Sequence, residues 1–111
     1  MKIENLTELY DTIQLAIDNF QPTIIDYMSP QMLTYVIMNI YLNNDTCKAV
    51  TNHVNKSMTI IASECRVSVI WYEQSTNFRV RVPLCLYESL SDDIGNILAC
   101  IEICVCRLLD Q

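Results

Sequence analysis

The N-terminal part of the chain carries apolar residues at helical spacing. In residues 6–20 they recur three and four positions apart and form one stripe, which consists of Leu6, Leu9, Tyr10, Ile13, Ile17 and Phe20. This spacing places apolar side chains on one face of an α-helix. Asn5 or Thr7 can cap such a helix. We therefore predict a helix from about Leu6 to Phe20.

Two more helices are predicted before the middle of the chain. Ser29 is a favourable N-cap, and Pro30 is favourable as a first helical residue. The apolar residues that follow at helical spacing are Leu33, Val36, Ile37, Ile40 and Tyr41. These features predict a helix from Pro30 to Tyr41. Asp45 can cap a third, short helix that ends near His53.

From Met58 onward the apolar period changes from helical spacing to two. Residues 66–72 and 77–82 alternate, and β-branched and aromatic residues dominate both segments, which is typical of strands. Residues 73–76 are predicted to form the turn between them, and residues 58–62 a third strand. The side chains expected to point inward are Val67, Val69, Trp71, Phe78, Val80 and Val82.

The last helix is predicted to begin near Ser89 or Ser91. Its core stripe is Ile94, Ile97, Leu98, Ile101, Val105 and Leu108. Four further residues, Cys100, Ile103, Cys104 and Cys106, leave little polar surface besides Glu102. Because a helix that is apolar nearly all round is buried on several sides, we expect these four residues to contact a second subunit of a homodimer.

These elements predict an α+β fold with N-terminal helices, an antiparallel β-hairpin within a three-stranded sheet, and a long C-terminal helix. Their predicted order is α-α-α-β-β-β-α. The length of 111 residues is close to the commonest domain size. We therefore expect residues 1–111 to form a single domain.

The net charge of −6 is unevenly distributed along the chain. Residues 1–45 hold one basic and six acidic residues, whereas residues 46–90 hold five basic and three acidic ones. An acidic field opposes contact with nucleic-acid phosphates, and it favours a basic protein partner. We therefore expect a protein partner and no nucleic acid.

The chain is expected to be a cytoplasmic protein without a membrane segment. No apolar stretch approaches the roughly 18 residues of a membrane span, and the N-terminus is acidic, unlike a secretory signal. The six cysteines accompany 51% hydrophobic residues and a single glycine, which is unlike a disulfide-rich domain. We expect them to be reduced and mostly buried.

Catalytic and cofactor motifs are absent from the sequence. The chain has one histidine, His53, and one glycine, so it cannot build a glycine-rich phosphate loop. We expect it not to be an enzyme and to need no cofactor. Cys100 and Cys104 lie four residues apart and could share a metal, but only if Cys47, Cys65, Cys85 or His53 converged on them.

Two surfaces are candidate partner-binding sites. The predicted outer face of the sheet interleaves arginines with residues that favour interfaces, and its candidates are Arg66, Ile70, Tyr72, Arg79 and Arg81. The first helix carries an acidic stripe of Glu4, Glu8, Asp11 and Asp18, which could contact a basic protein. The simpler interpretation of each face, which its composition favours, is an ordinary solvated surface.

The sequence favours a small acidic, non-enzymatic protein-interaction module. Inhibitor, immunity-type and accessory roles fit this class, and we expect a homodimer. One alternative is a winged-helix-like DNA-binding regulator, because three helices before a β-hairpin match that order; its recognition helix would be 30–41, which carries no Lys or Arg. The second alternative is a thiol or zinc-site protein.

Overall fold

The computed structural model describes residues 3, 5–19, 26–28, 35–90 and 94–110. The four helices of this part are α1 (Leu6–Asp18), α2 (Asn44–His53), α3 (Leu84–Leu90) and α4 (Ile94–Leu109). The five strands are β1 (Asp26–Met28), β2 (Tyr35–Tyr41), β3 (Met58–Ala62), β4 (Val67–Trp71) and β5 (Asn77–Pro83). The predicted α+β class, with an antiparallel sheet and a C-terminal helix, is confirmed.

The strands form one antiparallel sheet in the order β1-β2-β5-β4-β3. Its register places Val36 opposite Val82 and Val69 opposite Val80, so the inward positions of neighbouring strands coincide. We call this side of the sheet the helix face. All six predicted inward side chains of β4 and β5 are fully buried there.

The core lies between the helix face and the buried stripes of α1 and α4. Ile13 and Ile17 of α1 and Ile97, Ile101 and Leu108 of α4 belong to one cluster with the inward strand residues. Trp71 and Phe78 pack within it with ring centroids 5.3 Å apart. Apolar burial of this kind is the dominant favourable term in folding.

Polar contacts join the helices to one another. Tyr10 of α1 donates a hydrogen bond to Asp110, which follows α4. His53, at the end of α2, donates from Nε2 to the carbonyl of Leu109. Asn5 caps α1, and its side chain accepts a hydrogen bond from the Glu8 amide at 2.8 Å. The last turn of α4 is therefore tied to both α1 and α2.

The predicted helix from Pro30 to Tyr41 is wrong over residues 35–41, which form strand β2. Val36, Met38 and Ile40 lie on the helix face, while Ile37 points to the opposite side and is nevertheless only 2% exposed. Where a strand residue is buried on the second face as well, as Ile37 is, the two-residue alternation is lost and the apolar run resembles a helix segment. The β-branched and aromatic composition of the segment favours the strand.

Other predicted boundaries also need correction. The sheet has five strands instead of three, because β1 and β2 join the predicted ones. Helix α2 is capped by Asn43, not by Asp45. A short helix, α3, follows Pro83 directly and includes Ser89, one of the two predicted starts of the last helix. Helix α4 is described from Ile94 onward. Ser29 and Ser91, the predicted caps, lie outside the described residues.

The packing of α4 gives a first prediction. Ile101 is fully buried, whereas Ile103 on the same helix is 43% exposed. We expect Ile101→Ala to lower the free energy of unfolding by about 2–5 kcal/mol, because it leaves a cavity in the core. Ile103→Ala is the matched control and should change it by no more than about 0.5 kcal/mol. Urea titration measures both, and equal losses would contradict this packing.

The contact between Tyr10 and Asp110 gives a second prediction. Burial, followed by this hydrogen bond, raises the pKa of Tyr10 from 10.0 to about 12. Because the folded state holds the protonated phenol, the resulting stabilisation is complete below pH 10 and is lost as the pH rises towards 12. An absorbance titration should show one phenol ionising near pH 12. Tyr10→Phe should remove that component; loss of one near pH 10 would contradict the contact.

Candidate functional site

The side of the sheet opposite the helix face carries arginines in two neighbouring cross-strand rows. We call it the arginine face. In one row Ile61, Ser68 and Arg81 are consecutive partners on β3, β4 and β5. In the next row Ile70 lies opposite Arg79. Antiparallel partners on one face lie within contact distance of each other, so each arginine has an uncharged neighbour on β4.

A pocket of about 720 Å³ opens at one end of the arginine face. The start of β2, the end of β5, the β3–β4 turn and helix α3 meet at this end. The pocket is lined by Tyr35, Ile61, Ser63, Arg66, Ser68, Arg81, Pro83, Leu84, Cys85 and Glu88. Its volume lies within the range that is usual for ligand pockets in proteins.

Arg66 enters the pocket from the four-residue turn between β3 and β4. The Cys65 amide donates a hydrogen bond to the Ala62 carbonyl at 3.1 Å, and Arg66 then takes a φ of 60°. This left-handed conformation costs a non-glycine residue about 1–2 kcal/mol. The guanidinium Nη2 lies 3.9 Å from Cys85 Sγ of α3, so the exposed side chain reaches from the turn to that helix.

Arg81 is positioned by its neighbours on the sheet. Its Cζ lies 4.5 Å from the centroid of the Tyr35 ring, which is within the range of a cation–π contact. Ser68, its partner on β4, is buried. In the described part of the chain none of Arg66, Arg79 and Arg81 forms a salt bridge, in contrast to Arg107, which pairs with Glu64. The pocket thus presents two guanidinium groups without a carboxylate partner.

Only some of the residues predicted for partner binding lie together at the pocket. Arg66 and Arg81 line the pocket, and Ile70 and Arg79 lie beside it on the same face. Tyr72 follows the opposite end of β4, about 20 Å from Arg66 at the rise of a strand, and does not line the pocket.

Several pocket residues were not predicted from the sequence. Tyr35 was assigned to a helix, and Cys85 and Glu88 belong to α3, for which no helix was predicted. Ser68 alternates with the inward residues of β4, so the strand pattern already placed it on this face. Sequence alone carried no signal that the first residue of β2 would lie beside the last residues of β5.

The predicted acidic stripe remains on the outer surface of α1. Asp11 and Asp18 are exposed and Glu8 is half-buried, while Glu4 lies outside the described residues. Gln14 donates hydrogen bonds to Asp18 and, across to α4, to Glu102. Glu102, an acidic residue of α4, therefore takes part in the contact between the two helices.

The four residues predicted for a dimer contact do not share one surface. Cys104 is fully buried in the core of its own chain, and its thiol lies 3.6 Å from the Val67 carbonyl oxygen. Cys100 is half-buried and packs against the core, whereas Ile103 and Cys106 are exposed. Only these last two residues are fully available to a second subunit.

Three thiols approach one another beneath the β3–β4 turn. Burial, followed by a hydrogen bond with Cys65, raises the pKa of Cys100 to about 12. Burial likewise raises the pKa of Cys104 to about 11. Of the cysteines and histidine named for a shared metal site, only Cys65 reaches these helix thiols. Within the described residues, no three His, Cys, Asp or Glu side chains are arranged to hold a metal ion.

His53 forms a hydrogen bond that links two helices, and we find no thiol beside it among the described residues of its cavity. Besides bonding to Leu109, it lines a cavity of about 320 Å³ together with Ile3, Asn5, Leu6, Leu9, Ala49 and Asn52. Among the described residues of this lining there is no cysteine or carboxylate. The arrangement resembles a contact between helix ends more than a reactive centre.

No protein-family model, curated protein or solved structure matches this chain significantly. Among the helices that the structure describes, none combines the length and apolarity that crossing a bilayer requires.

The positions of the cysteines give a third prediction. Alkylation requires an accessible thiolate, and Cys85 and Cys106 are exposed whereas Cys104 is fully buried. Burial raises the pKa of Cys104 to about 11; partial burial, followed by Asp110, also raises the pKa of Cys106. We expect iodoacetamide to modify Cys85 and Cys106 in the native protein and Cys104 only after unfolding. Peptide mass spectrometry measures each site. Modification of native Cys104 as fast as Cys85 would contradict the assigned core.

Proposed function

We propose that the chain is a non-enzymatic protein-interaction module that binds its partner through the arginine face. The observation that carries this proposal is the presence of three arginines without a salt bridge, in the described part of the chain, beside a pocket at the end of the sheet. Arginine and tyrosine are enriched in protein interfaces, and a central pocket commonly holds the anchoring side chain.

The apolar residues of this face support the same function. Ile61 is 61% exposed at the pocket margin, and half-buried Ile70 lies in the adjacent row. Exposed apolar groups beside charged ones provide the burial and the orientation that a specific contact needs. Inhibitor, immunity-type and accessory roles all remain compatible with such a surface.

The charge of this face suggests an acidic contact segment on the partner. A basic partner could instead bind Asp11 and Asp18 on α1, the alternative that the net charge favours. The arginine face is preferred because it combines charge, apolar surface and a concave shape at one place, whereas the α1 stripe offers charge alone. A homodimer remains a second proposal, with Ile103 and Cys106 as its candidate contacts.

The winged-helix alternative conflicts with the position of strand β2. It rested on a recognition helix over residues 30–41, and residues 35–41 of that segment form β2 in the middle of the sheet. Three helices followed by a hairpin is therefore not the order of elements in this chain.

Charge reversal on the arginine face tests the proposal. We expect the double variant Arg66→Glu and Arg81→Glu to weaken partner binding at least about tenfold, because it replaces attraction by repulsion at the centre of the contact. Lys48→Glu is the control, since Lys48 is exposed on α2 and does not line the pocket. Affinity purification from native cells, followed by titration of the recovered protein, measures the effect.

The pattern of recovered proteins decides the outcome. A partner that is retained by wild type and by Lys48→Glu but lost by the double variant supports the proposal. Equal retention of the partner by all three chains would contradict it. The double variant Asp11→Lys and Asp18→Lys would then test whether the partner binds to α1. Far-ultraviolet circular dichroism establishes that each variant is folded.

A further inference from the structure

The pocket on the arginine face has the chemistry of a carboxylate-binding site. Two guanidinium groups, Arg66 and Arg81, line it together with the hydroxyls of Ser63 and Ser68. Guanidinium groups form paired, charge-assisted hydrogen bonds with planar carboxylates. Serine hydroxyls can donate to the same oxygens.

Both arginines make a contact at the pocket before any ligand arrives. Arg81 lies over the Tyr35 ring, with its Cζ 4.5 Å from the ring centroid. Arg66 is exposed, and its Nη2 lies 3.9 Å from Cys85 Sγ. A restrained side chain loses less conformational entropy on binding than a free one, and this favours recognition.

The charge of the lining distinguishes between kinds of anion. Among the described lining residues, Arg66 and Arg81 are basic and Glu88 is acidic. The Glu88 carboxylate repels a phosphate group, whose charge at neutral pH is close to −2, more strongly than it repels a singly charged carboxylate. The presence of Glu88 therefore argues against a phosphorylated ligand.

Apolar side chains also line the pocket. Ile61, Pro83 and Leu84 line it beside the arginines, and apolar walls with a few placed polar groups are typical of selective pockets. We propose that the pocket binds the carboxylate of a peptide residue with an apolar neighbour or side chain, either a C-terminal carboxylate or that of Asp or Glu. This inference rests on the proposed function and specifies the partner's anchoring group.

Protection of Cys85 from alkylation tests this inference on the full chain. Cys85 lines the pocket and exposed Cys106 does not, so Cys106 serves as an internal reference. The probes are acetyl-Ala-Ala-Leu with a free C-terminal carboxylate, its C-terminal amide, and the amidated peptides acetyl-Leu-Glu-Leu and acetyl-Leu-phosphoserine-Leu. Each is added up to millimolar concentration, and the alkylation rates of both thiols are measured.

We expect at least one carboxylate peptide to slow alkylation of Cys85 without affecting Cys106. The amide of the first peptide should require at least about tenfold higher concentration, because it lacks the charge-assisted hydrogen bonds. Comparison of the terminal and side-chain carboxylates identifies which source the pocket prefers. Arg66→Gln and Arg81→Gln should remove the protection, whereas Lys48→Gln should retain it.

Three results would overturn the inference: equal protection by the amide, stronger protection by the phosphoserine peptide, or none by either carboxylate. If protection fails while charge reversal still abolishes partner binding, the protein-interaction proposal stands and only the carboxylate is wrong. If carboxylates bind through the arginines but charge reversal leaves partner binding intact, the proposed function is the one that fails.

Discussion

The apolar contact between helix α4 and the helix face of the sheet is the interaction on which the rest of the structure depends. Ile97, Ile101 and Leu108 are fully buried against inward strand residues. Since a sheet side chain points to one face or the other, filling the helix face with apolar groups assigns the alternate residues of β4 and β5 to the opposite side. The arginine face is the direct consequence of this core.

The same geometry places the residues that line the pocket at one end of the sheet. Antiparallel pairing brings the start of β2 beside the end of β5, and the β3–β4 turn closes the same end. Arg66 and Arg81 are far apart in the chain but meet here. An acidic protein thereby acquires a local positive site, and its net charge alone would have indicated only a basic partner.

Much of the fold could be predicted because its patterns are local. Helix α1 and strands β3, β4 and β5 follow directly from apolar spacing, and alternation correctly placed Arg79 and Arg81 on the outer side of the sheet. Strand β2 could not be recognised, since Ile37 is buried on the face opposite the helices and hides the alternation. The pocket could not be predicted either. Tyr35 belongs to the unrecognised strand β2, and Cys85 belongs to a short helix without strong periodicity.

Amide hydrogen exchange on the chain with its bound partner tests most directly that the arginine face is the functional surface. Exchange reports which backbone segments become protected from solvent and from local opening. We expect new protection in residues 61–68 and 79–88, which surround the pocket, with little change along α1. Protection confined to α1, or to the exposed side of α4 around Ile103 and Cys106, would contradict the assignment.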